Sequence, residues 1–109
     1  MEITQTTLDI AQMRDAAANA SCVMHALSNP DRLLLLCQMS QGEKSVSELE
    51  ALLDIRQPTL SQQLGVLRND GLVNTRRDGK RIYYSVADMK VLTLLNILYD
   101  LYCPEPQGE

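Results

Sequence analysis

Three cysteines and one histidine hold most of the reactive chemistry in this 109-residue chain. A cysteine thiolate can act as a nucleophile, a soft-metal ligand or an oxidisable group. Thiol-exchange enzymes usually carry Cys-x-x-Cys, whereas Cys37 and Cys103 stand 66 residues apart. Cys37 follows Leu33 and Leu36 at helical spacing and therefore faces inward on its helix, a setting in which free cysteine is often inert. Cys103 ends the last helical stretch, just before Pro104. Cys22 lies off the apolar stripe of the first helix; packing, pairing across a dimer and no task at all are open to it. His25 is the sole histidine. One imidazole with scattered carboxylates makes a poor zinc site, so His25 reads as a packing or surface residue. No Ser or Cys has a histidine base beyond His25, and no glycine-rich loop is present to cradle a phosphate. The chain therefore reads as a non-enzyme, with no cofactor and no resident metal.

A second constellation is polar and cationic. Between positions 56 and 81, Arg56, Arg68, Arg76, Arg77, Lys80 and Arg81 face only Asp70 and Asp78, a net of +4. The remainder nets −8, so the overall −4 hides a local positive field suited to phosphates. A solvated charged face is the bland alternative. Within this window runs Gln57-Pro58-Thr59-Leu60-Ser61-Gln62-Gln63-Leu64-Gly65-Val66-Leu67-Arg68. At ~100° per residue, Leu64 and Leu67 fall within ~40° of Leu60, and Gln62 points ~200° away. The first turns thus present Gln57, Thr59, Ser61, Gln62 and Gln63, all able to hydrogen-bond base edges or phosphates. Gly65 shares the outer face. A mid-helix glycine costs ~1 kcal/mol against alanine, which close approach of backbone to DNA would explain. Downstream, Asp78-Gly79 between Leu72–Arg77 and Arg81–Val86 is a hairpin signal. Arg76, Arg77, Lys80 and Arg81 crowd its tip, as a wing tracking backbone phosphates or the minor groove would require. Arg68 and Tyr83 join this DNA-facing set.

The elements that position these groups are mostly helical. Ile10, Met13, Ala17, Ala20, Met24 and Leu27 form one stripe along a first helix from about residue 9. Asn29-Pro30-Asp31 stops it and starts a second, with Asn29 as cap and Pro30 at the first helical position. Ser45 and Glu48 have capping-box spacing for a third helix, whose buried face is Leu49, Leu52 and Leu53. The fourth helix carries the glutamines and ends at Asn69-Asp70-Gly71. After the hairpin, a last helix over roughly 88–102 is apolar around much of its girth and needs cover on two sides. A second subunit is the simplest cover. The expected class is mainly α (α+β), a winged helix-turn-helix of order ααααββα. One domain spans 9–103, between an N-terminal tail at 1–8 and a C-terminal tail at 104–109. No apolar run nears the ~20 residues of a membrane span, and MEITQTTLDI lacks the features of a signal peptide. A cytoplasmic location is expected.

The stretch Arg56–Val73 resembles the recognition segment of the ArsR/SmtB winged helix-turn-helix repressors, and Leu27-Ser28-Asn29-Pro30-Asp31-Arg32-Leu33 resembles that family's usual start of its second helix. The resemblance covers roughly residues 10–102. It implies a homodimer through the first and last helices, a double-stranded operator as partner, and an inducer that releases it. The family often has His-His where Gln62-Gln63 stands and Lys where Gly65 stands, so the resemblance implies the binding mode and not the operator sequence. Its Cys-x-Cys metal positions are Ser45 and Ser47 here, and the last helix has Asp88 and Asp100 without histidine. Leu36-Cys37-Gln38-Met39 and Leu101-Tyr102-Cys103 resemble the dithiol subgroup typified by BigR and SqrR. That resemblance implies that Cys37 and Cys103 close a disulfide or polysulfide bridge between second and last helices under reactive sulfur species or other thiol oxidants, releasing the operator. Cytosolic thiol pairs are kept reduced, so an oxidisable pair suits a sensor. A HlyU-like anti-silencer with the same switch, or a thiolate metal sensor, are the other functions open to this pair.

Overall fold

The computed structural model of the chain describes residues 9–103. The two expected tails lie outside the described residues. The element order is α1 (Ile10–Leu27), α2 (Pro30–Met39), β1 (Lys44–Ser45), α3 (Val46–Leu53), α4 (Thr59–Asn69), β2 (Val73–Asp78), β3 (Arg81–Val86) and α5 (Met89–Tyr102). This is the expected winged helix-turn-helix with one addition, the two-residue strand β1. It pairs antiparallel with β3, Lys44 opposite Tyr84 and Ser45 opposite Tyr83, giving a sheet of order β1-β3-β2. A two-residue strand has too little alternation to be seen in sequence; only its partner defines it.

The helix boundaries follow from local chemistry. Asn29 caps α2 by accepting from the Arg32 N–H at 3.1 Å. Ser45 and Glu48 form the expected capping box on α3. Asp54 closes α3 in the left-handed region, at φ 55°. α4 ends in paired bonds, Leu72 N–H to the Leu67 carbonyl and Gly71 N–H to the Arg68 carbonyl, with Gly71 at φ +74°. This Schellman arrangement needs a positive φ, which glycine adopts without strain. In the hairpin, Asp78 pairs with Arg81, so the tight turn is Gly79-Lys80 rather than Asp78-Gly79. Gly79, at φ +64°, supplies the required conformation.

The core joins Leu35, Leu36 and Met39 of α2, Leu49 of α3, Leu60, Leu64 and Leu67 of α4, Leu72, Val73, Val91 and Leu95. α2 sits at its centre, packed on α1, α3, α4 and β3. One expectation is corrected here. Leu52 is 56% exposed, because the short α3 turns only Leu49 fully inward. Of the α1 stripe, Ile10, Met13 and Met24 are exposed and Leu27 packs on the core, together with Val23 and Ala26 at the helix end. α1 therefore projects. The radius of gyration is 16.3 Å, against about 13 Å for a compact chain of this size.

Candidate functional site

Helix α4 is held by its buried leucines and shows its polar face outward. Gln62 and Ser61 are exposed, and Thr59 is half-buried. Gln57 is already engaged. Its Oε1 accepts from the Ser61 N–H at 3.2 Å and from the Ser61 hydroxyl at 2.7 Å, closing the first turn. Gln63 is half-buried, and its Oε1 accepts from Arg32 Nη1 at 2.9 Å. Arg68 is exposed at the helix end, where its charge suits the helix dipole. A Cβ on Gly65 would meet no heavy atom within 4 Å, so nothing inside the subunit requires glycine there.

The wing divides its cations into two groups. Side chains alternate across a strand, so Arg76, Asp78, Arg81 and Tyr83 share one face and Arg77 lies on the other. Arg76 donates from Nε and Nη2 to the two carboxylate oxygens of Glu43, at 2.8 and 2.9 Å. Its guanidinium lies over the Tyr83 ring, 4.8 Å from the centroid. The hydrogen bond from Arg76 holds the Glu43 carboxyl below the usual carboxylate range, and the same pairing raises Arg76. Arg76 and Tyr83 thus fasten the wing to the residue preceding β1, rather than standing free beside the other cations. Arg77, Lys80 and Arg81 are exposed, and among the described residues none has a carboxylate within 4.0 Å.

Ser45 and Ser47 lie where wing and α3 meet, lining a cleft of about 300 Å³ with Glu50, Lys80 and Arg81. Ser45 is buried, its hydroxyl accepting the Glu48 N–H at 3.2 Å and lying 3.2 Å from the Ser47 hydroxyl. Its task is the helix cap. Among the described residues, no three His, Cys, Asp or Glu side chains are grouped to hold a metal ion.

The two sequence-distant thiols differ in their settings. Cys37, on α2, is half-buried against the core; Cys103, at the end of α5, is exposed. Burial pushes the Cys37 thiol up from its ordinary 9.0, and the negative charge of an ionised Cys103 pushes it further. Cys22 is exposed on α1 and lines a separate cleft of about 410 Å³ with Ser21, Val23, His25, Asp70 and Leu72.

Two helices keep apolar faces without partners in the subunit. Ile10, Met13 and Met24 of α1 are exposed, as are Leu94, Ile97 and Leu101 of α5. Such surface is what protein interfaces cover. Arg32 is the residue that sequence reasoning missed. Besides Gln63, its guanidinium reaches the carbonyls of Ala26 at 2.8 Å and His25 at 3.2 Å. A lone arginine in a first helical turn carries no pattern that points to three acceptors on two other helices.

Comparison with known proteins agrees with this geometry. Residues 29–75 match the model of the bacterial regulatory protein, arsR family. The chain is 49% identical over 96 residues to the biofilm growth-associated repressor of Agrobacterium fabrum, covering 88% of this chain and 82% of that one. It is 36% identical over 100 residues to the transcriptional activator HlyU of Vibrio cholerae, covering 92% and 93%. The crystal structure of the transcriptional repressor BigR from Xylella fastidiosa superposes with a TM-score of 0.82 at 44% identity, covering 90% of this chain and 100% of that one.

Proposed function

Because the chain belongs to the arsR family of bacterial transcriptional regulators, we propose that it is a homodimeric repressor that grips operator DNA while Cys37 and Cys103 are reduced and releases it when they are bridged. The exposed polar turns of α4 would enter the major groove, with Arg77, Lys80 and Arg81 on flanking phosphates. The apolar faces of α1 and α5 would meet their counterparts in a second copy. The two α4 helices would then sit about 34 Å apart, one turn of DNA.

Support for the sensing half comes from the settings of the two thiols: Cys37 is half-buried on the central helix and is raised in part by the charge of Cys103, which is exposed at the end of a helix with an unpartnered face. Their unequal settings suggest an order of reaction. Exposed Cys103 meets the oxidant. Its thiolate attacks a sulfane sulfur of a polysulfide, forming a Cys103 persulfide and expelling the shortened sulfide. The Cys37 thiolate then attacks the Cys103 sulfur and expels hydrosulfide, leaving a disulfide. The dithiol loses two electrons and the sulfane sulfur gains them. A disulfide needs Cα atoms ~4.4–6.8 Å apart, and a bridge with additional sulfur spans more. Either link would tie α2, the centre of the reading domain, to α5.

The test pairs intact mass with operator affinity on the same samples, before and after polysulfide. The reading predicts loss of two hydrogens, or gain of whole sulfur atoms, together with weakened binding. In Cys37→Ser, binding should persist and ignore polysulfide; release of that variant by polysulfide would refute the switch. The similarity to an activator favours one second reading, in which the same dimer displaces a silencing protein. A transcription assay with and without such a competitor separates the two.

A further inference from the structure

The reading of α4 as the DNA helix leaves open what fixes its angle to the rest of the subunit. We infer that Arg32 is a positioning residue for operator binding, acting through Gln63. Arg32 is half-buried in the first turn of α2, and its own N–H is capped by Asn29. Nε donates to the carbonyl of Ala26 and Nη2 to that of His25, both in the last turn of α1; the His25 carbonyl also accepts from the Ser28 N–H and hydroxyl. Nη1 donates to Gln63 Oε1 at 2.9 Å. One rigid fork therefore joins the end of α1, the start of α2 and the outer part of α4. Guanidinium planarity makes this possible; an ammonium group has no such fixed fork.

The bond also decides how Gln63 faces DNA. Arginine has only donors, so the amide oxygen must be the atom turned toward it. The amide nitrogen is left as the outward group. Gln63 then offers N–H donors to phosphate oxygens or to guanine and thymine acceptors. The bidentate grip on adenine, which needs oxygen and nitrogen together, is disfavoured. Arg32 accordingly sets both the pose of α4 and the hydrogen-bonding sense of one residue on it.

The test is a double-mutant cycle on operator affinity with the reduced, full-length protein: wild type, Arg32→Ala, Gln63→Ala and both. Arg32→Ala should weaken binding about tenfold, the scale of a hydrogen bond to a charged group. In the Gln63→Ala background the same change should cost less than about threefold. The slope of affinity against salt should stay within about 0.5 of wild type, because Arg32 neutralises no phosphate. Arg32→Lys should not restore affinity. Equal losses in both backgrounds, or a slope reduced by about one, would overturn the inference. The side-chain amide resonances of Gln63 give a readout without DNA and should move in Arg32→Ala; if they stay in place, the grip is absent and the inference fails. Should wild-type protein bind no DNA while those resonances move, the DNA reading of α4 fails, and with it the role of Arg32 in binding.

Discussion

Arg76 and Glu43, 33 residues apart, form a two-pronged ion pair at 2.8 and 2.9 Å that ties the wing to the residue before β1. The arginine face is stacked on Tyr83. Arg76 and Arg77 are neighbours of identical type, yet strand alternation gives them different surroundings.

That difference is measurable in salt dependence. Each phosphate neutralised contributes about 0.9 to the slope of log affinity against log salt. Arg77→Ala and Lys80→Ala should each lower the slope by about one. Arg76→Ala should lower it by less than about 0.5 and instead loosen the wing, visible as faster amide exchange in β2. A full unit of slope lost at Arg76 would mean that the pair with Glu43 opens on DNA.

The same pair carries a pH signature. Glu43 is lowered in the folded protein, so its favourable contribution is present above the unfolded value near 4.5 and is lost as pH falls through the folded value. Exchange protection of the wing should therefore persist at pH 5 and diminish as the pH falls below the unfolded value near 4.5. Glu43→Gln should abolish the change. Cys37 behaves oppositely. Its raised value means that stability is undiminished below the unfolded value near 9.0 and falls as pH rises through the folded value. Cys37→Ser should blunt the loss of stability above about pH 9 in a denaturation series. At neutral pH, iodoacetamide should label exposed Cys103 before Cys37, as peptide mass mapping would show.

Gly65→Ala separates folding from binding. A Cβ there meets nothing within 4 Å, and alanine favours helix by about 0.5–1 kcal/mol. The variant should melt higher than wild type. Operator affinity should fall if DNA backbone approaches that position; unchanged affinity would show that it does not.

Leu64→Ala and Leu52→Ala test the core assignment. Leu64 is 2% exposed, and its truncation should cost about 2–5 kcal/mol in chemical denaturation. Leu52 is 56% exposed, and its loss should stay within about 0.5 kcal/mol.

Ile97→Asp addresses assembly. The side chain is 48% exposed in the single subunit, so the substitution leaves the subunit core untouched. Sedimentation should show monomer for the variant and dimer for wild type. A dimer in both would move the interface off α5.

Most of the helix boundaries in this protein were legible from residue order. The Asn29 cap, the Ser45–Glu48 box, the Gly71 terminus and the leucine face of α4 depend on groups within about four residues, where helical geometry leaves few alternatives. The family was legible for the same reason, since its marks sit in the contiguous stretches 27–33 and 56–73.

What the tertiary structure alone decided is which long side chains meet across the fold. Glu43 chose Arg76 over Arg77, Arg32 reached Gln63 and the end of α1, and Leu52 was left in solvent. Residue type states what a side chain can bond. Only the packing of α2 among its neighbours determines the few ångströms that select one donor from several equals, and bond energy vanishes over that distance.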